Sequence, residues 1–99
     1  MGATAQLDST DLIISSLRRQ VDGVDERLLV LLRQRINLAR QVGLIKHDAG
    51  RPLHDPQREE MLLTRLAATG NEVLPAEAIR TVFRAILDVS LARQVADAE

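Results

Sequence analysis

A cation interrupts an apolar stripe once in the N-terminal half of the sequence, and a second cation follows on nearly the same helix face. Arg35 takes a heptad position that the surrounding pattern gives to Leu or Val, and Lys46 returns to within about 20° of the same helical direction. An arginine cannot shed its proton and is costly to leave unpaired among apolar side chains, so it requires an anion. The small residues Ala39 and Gly43 lie between the two cations. This pattern predicts the floor of an anion-binding pocket, and the alternative is that both cations reach solvent or pair with acidic residues.

The segment DPQREEMLLTRL, residues 55–66, places a cation and an anion side by side at the start of a helix. Asp55 is the expected N-cap and Pro56 the first helical residue. Glu59 shares a face with the leucines that follow it, whereas Arg58 points about 100° away. The helix dipole favours a glutamate at this end but not an arginine. The pair therefore suggests an acceptor for a ligand hydroxyl and a donor for a ligand carboxylate.

Three further polar residues have two interpretations each. The apolar stripe of the last predicted helix continues onto Ser90 and Gln94, where an amide could bind an ether or carboxylate oxygen. A frayed, solvated last turn is the alternative. Arg18 lies about 100° around its helix from Arg35, so it is poorly placed for the same pocket. It is either an exposed side chain or, in a dimer of packed long helices, a contribution to the partner's pocket.

Three predicted helices carry these residues, and the fold class is therefore all-α. The first spans residues 10–47, and its apolar residues follow a heptad for more than four repeats. Gly and Pro in the segment 50–52 end it. A second helix starts at residue 55 and stops at the turn 69–71, and a third covers 75–96. The composition agrees with an all-α fold. Of the chain, 45% is hydrophobic but only one residue is aromatic, so the core must consist of aliphatic side chains on helix faces.

The first predicted helix is too long for one small chain to cover. About 36 residues at 1.5 Å each make it about 54 Å long, and the two short helices leave part of its seam open. We infer a homodimer with the long helices side by side. A monomeric three-helix bundle with a fraying first helix is the alternative. One domain is expected over residues 9–97, after a flexible N-terminal segment, residues 1–8.

Charge and composition argue against several classes of function. With 13 basic and 14 acidic residues, the chain has no excess of positive charge that would attract nucleic acid. It has no cysteine, and His47 and His54 lack partners at ligand spacing, so no metal site is expected. We expect no membrane association and a cytoplasmic location, because the N-terminus has no apolar signal-peptide core.

Three stretches together carry a resemblance to a known family: LRRQVDGVDERLLVLLRQRINLARQVGLIK, RPLHDPQREEMLLTRL and FRAILDVSLARQ. In this order they resemble the all-helical chorismate mutases of the AroQ class, over roughly residues 12–95. The resemblance implies interlocked homodimers with three helices per chain and no cofactor. It also implies two shared active sites, each of which takes one arginine from the partner's long helix.

The resemblance implies a role for each cation and for the amide. Arg18 from the partner chain and Arg35 would hold the substrate carboxylates, assisted by Arg58. Lys46 and Gln94 would flank the ether oxygen of chorismate. Its conversion to prephenate is an intramolecular Claisen rearrangement that leaves partial negative charge on that oxygen, so it needs no nucleophile and no metal. Conformational restriction and electrostatic stabilisation would then suffice.

For the ring hydroxyl, the resemblance implies contacts with Glu59 and with the backbone near Asp55, while Ser90 would line the carboxylate side. The catalytic residues in this interpretation are Lys46, Gln94, Arg35 and Glu59. Two alternatives remain open. One is a paralogue on the same fold, either a 4-amino-4-deoxychorismate mutase or an isochorismate-pyruvate lyase. The other is a non-enzymatic helical dimerisation module.

Overall fold

The computed structural model describes residues 8–99, and within this range it contains three α-helices and no strand. Helix α1 spans Ser9–Asp48, α2 spans Pro56–Ala67 and α3 spans Ala76–Ala98. The all-α class with one long and two short helices is therefore confirmed. Residues 1–7 of the predicted flexible segment lie outside the described residues. The single domain over 9–97 stays a prediction.

The ends of α1 and the start of α2 follow from local chemistry. Asp8 caps α1, because its Oδ1 accepts a hydrogen bond of 2.8 Å from the backbone N–H of Asp11. Gly50 ends the turn after α1 with a φ of 69°, a left-handed conformation that favours glycine. Asp55 caps α2 by accepting a 3.0 Å bond from the Arg58 N–H, and Pro56 is the first residue of that helix. The predicted cap and proline positions of α2 are thus confirmed.

The turn between α2 and α3 brings the two short helices together. The Asn71 side chain accepts hydrogen bonds from the backbone N–H groups of Val73 and Leu74, at 3.0 and 2.9 Å. Pro75 then precedes the first turn of α3. The two helices pack through a thin aliphatic core, and its most buried members are Leu63, Ile79 and Leu87.

The chain divides into two compact units after Arg33. The described part of the first unit, residues 8–33, is the N-terminal part of α1. Its predicted seam residues remain open to solvent in a single chain, and they include Leu17 (54% exposed), Val21 (55%), Leu28 (51%) and Leu31 (60%). An exposed apolar row of this kind is typical of a protein interaction surface.

The second unit, Gln34–Glu99, contains the rest of α1 together with α2 and α3. A bidentate ion pair joins the two ends of this unit's sequence. Arg40 Nε and Nη2 donate to the two carboxylate oxygens of Asp97 at 2.8 and 2.9 Å. This pair holds the C-terminal part of α1 against the last turns of α3. Its hydrogen bond lowers the pKa of Asp97 below the usual range.

Neither a membrane span nor a metal-binding cluster is present among residues 8–99. No helix in this range is both long and apolar enough to cross a membrane. No three His, Asp or Glu side chains of the same range come together as metal ligands would. The cytoplasmic location stays a prediction.

Candidate active site

The second unit contains a pocket of about 320 Å³ between the C-terminal part of α1, the α1–α2 connection, α2 and α3. Seven of the eight predicted site residues line it: Arg35, Lys46, Asp55, Arg58, Glu59, Ser90 and Gln94. The eighth, Arg18, belongs to the first unit. Apolar side chains complete the wall, namely Leu38, Ala39, Val42, Leu53, Leu62, Leu87 and Leu91.

Arg35 is held in place by the buried hydroxyl of Ser90. Its Nη1 donates to Ser90 Oγ at 3.0 Å, and that hydroxyl donates in turn to the carbonyl oxygen of Ile86 at 2.8 Å. Burial lowers the pKa of the Arg35 guanidinium, and the positive charge of Arg58 lowers it further. An arginine still keeps its proton in this situation. The two neighbouring cations would therefore be stabilised by an anion bound near both.

Gln94 approaches α1 at a point where only glycine leaves room for it. Its Nε2 donates to the carbonyl oxygen of Ala39 at 2.7 Å. A Cβ at Gly43 would lie 2.6 Å from Gln94 Cγ, closer than real Cβ contacts. The amide nitrogen carries two hydrogens. One N–H is used by Ala39, so the second can serve a ligand.

Lys46 and Arg58 are the less engaged cations of the pocket. Lys46 Nζ lies 3.5 Å from the carbonyl oxygen of Leu53, at the limit of a hydrogen bond. The Arg58 guanidinium has no hydrogen-bond partner among residues 8–99, although its backbone N–H is used by the Asp55 cap. Both cations can therefore donate to a ligand without first breaking a strong contact.

Glu59 presents a largely buried carboxylate, 14% exposed, that is paired from outside the pocket. Arg84 Nη1 donates to its Oε1 at 2.8 Å, and His54 Nε2 lies 3.4 Å from the same oxygen. The hydrogen bond to Glu59 raises the pKa of Arg84. Arg84 was not predicted from the sequence. The only signal was its place in a charged row at helical spacing with Arg80 and Asp88, which does not reveal what faces that row.

The arrangement of charges in the pocket suits the binding of an anion. Three cations line the pocket against two carboxylates, of which one caps α2 and the other is paired with Arg84. No Cys and no His is among the lining residues of the part of the chain that the structure describes. Fixed donors in a partly enclosed pocket can bind carboxylates and stabilise negative charge that develops on an oxygen.

The sequence is similar to a known family and to curated proteins. The model of the family described as chorismate mutase type II matches residues 17–95. The chain is 34% identical over 82 residues to the bifunctional chorismate mutase/prephenate dehydratase of Aquifex aeolicus, an alignment that covers 79% of this chain. It spans only about a quarter of that relative, 23% of its length.

Solved structures agree with the sequence comparison. Form II of the chorismate mutase of Thermus thermophilus superposes with a TM-score of 0.79 at 37% identity, covering 82% of this chain and 92% of that one. The chorismate mutase of Helicobacter pylori in complex with prephenate gives a TM-score of 0.76 at 28% identity, covering 83% and 89%. With the family match over residues 17–95, these similarities show that the chain belongs to the chorismate mutase type II family.

Proposed function

We propose that this protein is a chorismate mutase that converts chorismate to prephenate. The observation that carries the proposal is a pocket of about 320 Å³ in which three cations and one amide converge. Chorismate carries two carboxylates and an ether oxygen, which match such a set of donors. The resemblance noted in the sequence and the membership of the family support the same activity.

The proposed mechanism needs no covalent step on the protein. Arg35 and the partner's Arg18 hold the substrate carboxylates, assisted by Arg58, and so select the compact conformer in which the two reacting carbons approach each other. As the ether C–O bond breaks, the Lys46 ammonium and the free N–H of Gln94 stabilise the charge on the oxygen. Ser90 fixes the position of the Arg35 guanidinium by accepting its 3.0 Å hydrogen bond. Orientation and electrostatic stabilisation of about 8 kcal/mol correspond to an acceleration of about 10⁶-fold.

The hydroxyl on the substrate ring is assigned to the α2 end of the pocket. Glu59 accepts its hydrogen bond, and the backbone near Asp55 completes the contact. This end of the pocket also lies at the N-terminus of α2, where the dipole favours an oxygen over a cation. Both residues line the pocket, which supports the assignment.

We also propose that the protein works as an interlocked homodimer with two shared sites, and that Arg18 reaches the partner's site. The exposed seam residues of the first unit support the dimer, since Leu17 and Leu31 are more than half exposed in the single chain. Mixing and refolding two inactive variants, Arg18→Ala and Lys46→Ala, is expected to restore activity, because heterodimers would rebuild one intact site. Heterodimers without activity would contradict the role of Arg18.

The activity is tested by incubating the purified protein with chorismate, following the loss of its ultraviolet absorbance, and identifying the product by mass and NMR. We expect an isomer of unchanged mass that matches prephenate. Isochorismate and 4-amino-4-deoxychorismate are tested in parallel. Turnover of one of these alone would replace the proposal by the corresponding paralogue, and no turnover of any would favour a non-enzymatic module.

A further inference from the structure

Arg84 is a cation outside the pocket that contacts a carboxylate inside it. It belongs to α3, whereas Glu59 belongs to the first turn of α2, so the 2.8 Å contact depends on the packing of the two helices. Arg84 is not a pocket-lining residue, and its side chain is 44% exposed. The Glu59 carboxylate is only 14% exposed. The pair therefore spans the wall of the pocket, with the cation on the outer side.

The contact uses one oxygen of the carboxylate and leaves the other free. Both Arg84 Nη1 and His54 Nε2 approach Oε1, at 2.8 and 3.4 Å. In the described range of the chain, Oε2 accepts no hydrogen bond. Pairing through one oxygen removes much of the rotational freedom of a carboxylate. Oε2 therefore keeps one position, in which it can accept a hydrogen bond.

The charge of Arg84 also changes what this acceptor can recognise. A neutral hydroxyl needs only an oxygen lone pair, which Oε2 keeps when Oε1 is paired. An ammonium group at the same place would gain from the negative charge of Glu59, but the guanidinium behind the carboxylate would repel it. Arg58 and Lys46, which also line the pocket, add to the repulsion. The pairing thus favours a hydroxyl over an amine at this point of the ligand.

We propose that Arg84 is a positioning and specificity residue, which orients Glu59 through Oε1 and makes the pocket prefer a ring hydroxyl to a ring ammonium. This inference rests on the proposed function, because the ligand hydroxyl is placed at Glu59 there. Arg84 contacts no substrate in this arrangement. It acts only through the glutamate.

The chain supplies a matched control one helical turn earlier. Arg80 Nη1 pairs with Glu60 Oε1 at 3.2 Å, also between α3 and α2. Glu60 is 62% exposed and does not line the pocket. Arg80→Gln therefore removes an interhelical ion pair of the same kind without affecting the glutamate of the site.

The test compares wild type, Arg84→Gln, Arg84→Lys and Arg80→Gln. Calorimetry in an added Lys46→Ala background, in which the ligand is not converted during the titration, gives the Kd values for chorismate and for 4-amino-4-deoxychorismate. The kcat/KM for chorismate is measured in parallel without that background change. We expect Arg84→Gln to reduce the preference for chorismate by about two- to fivefold, the upper part of the range typical of exposed ion pairs. Arg84→Lys should restore most of the preference, and Arg80→Gln should leave it unchanged. Arg84→Met provides a second neutral variant if Arg84→Gln does not fold.

The outcomes separate this inference from the function itself. An unchanged Kd ratio in Arg84→Gln, or an equal shift in Arg80→Gln, would overturn the role of Arg84 even if the wild type is an active mutase. A wild type that binds both compounds without turning chorismate over would refute the proposed function, while the Kd ratios would still decide the role of Arg84. A wild type that binds neither compound would overturn both.

Discussion

Replacing Gly43 by alanine tests whether the position of Gln94 matters for catalysis. Gly43 is buried, and the Gln94 side chain occupies the space that a side chain at position 43 would need. A Cβ added there would lie 2.6 Å from Gln94 Cγ and 3.0 Å from its Cβ. To reach an ordinary contact of 3.4 Å, the Gln94 side chain must retreat by about 0.8 Å. That movement takes the Gln94 amide away from the Ala39 carbonyl and from the position proposed for the ether oxygen of chorismate.

The expected effects on stability and on activity differ in size. Alanine is a better helix former than glycine by about 1 kcal/mol. Overpacking against Gln94 costs about 1–3 kcal/mol, so the free energy of unfolding should fall by only about 0–2 kcal/mol. A misplacement of about 1 Å at a catalytic group can reduce the rate by about 10²-fold. Gly43→Ala is therefore expected to fold and to lose most of its activity.

The assay combines kcat/KM for chorismate, from the loss of ultraviolet absorbance, with thermal unfolding followed by circular dichroism. Gly23→Ala is the control, because it makes the same change in the same helix, where a Cβ meets no other atom of the single chain within 4 Å. It should gain helix stability and keep its activity. Wild-type kcat/KM in Gly43→Ala would refute the reasoning, since the Gln94 amide would then not need its present position.

Two further predictions concern charged side chains of the second unit. Arg35→Leu should reduce kcat/KM by about 10²-fold or more while unfolding at the wild-type temperature or higher, because leucine continues the apolar stripe; wild-type turnover would end its assignment. The lowered pKa of Asp97 implies that its pairing with Arg40 stabilises the fold in a pH-dependent way. This stabilisation is complete above about pH 4, the pKa of an unfolded aspartate, and it is lost as the pH falls through the lower pKa of the folded state. Asp97→Asn should therefore lower the melting temperature at pH 7 but much less near pH 2, and an equal loss at both values would contradict this linkage.

The helices were predictable because their limits depend on neighbours in sequence. Asp55 and Pro56 specify the first turn of α2 through a cap and a fixed φ, and Gly50 supplies the left-handed turn after α1. The cation pair Arg35 and Lys46 was predictable as part of a pocket floor for a related reason. Helical geometry alone places both on one face, and the structure brings both to the same pocket.

The partners of the polar groups were not predictable in the same way. From spacing alone, Ser90 and Gln94 could equally belong to a solvated last turn of α3. The structure instead places the Ser90 hydroxyl against Arg35 and the Gln94 amide against the Ala39 carbonyl. Each of these contacts joins residues 55 positions apart. Helical periodicity carries no information on which turn of another helix will lie opposite.

The sequence by itself determined the all-α class, the order of the helices, the cap of α2 and the common helix face of Arg35 and Lys46, because each depends on backbone preferences or on one helix face. Only the tertiary structure decided how those residues are engaged. The packing of α2 on α3 pairs Glu59 with Arg84. The contact of α1 with α3 places the Gln94 side chain where any side chain larger than that of Gly43 would collide with it. Such contacts arise from the relative placement of helices, which many side chains set together.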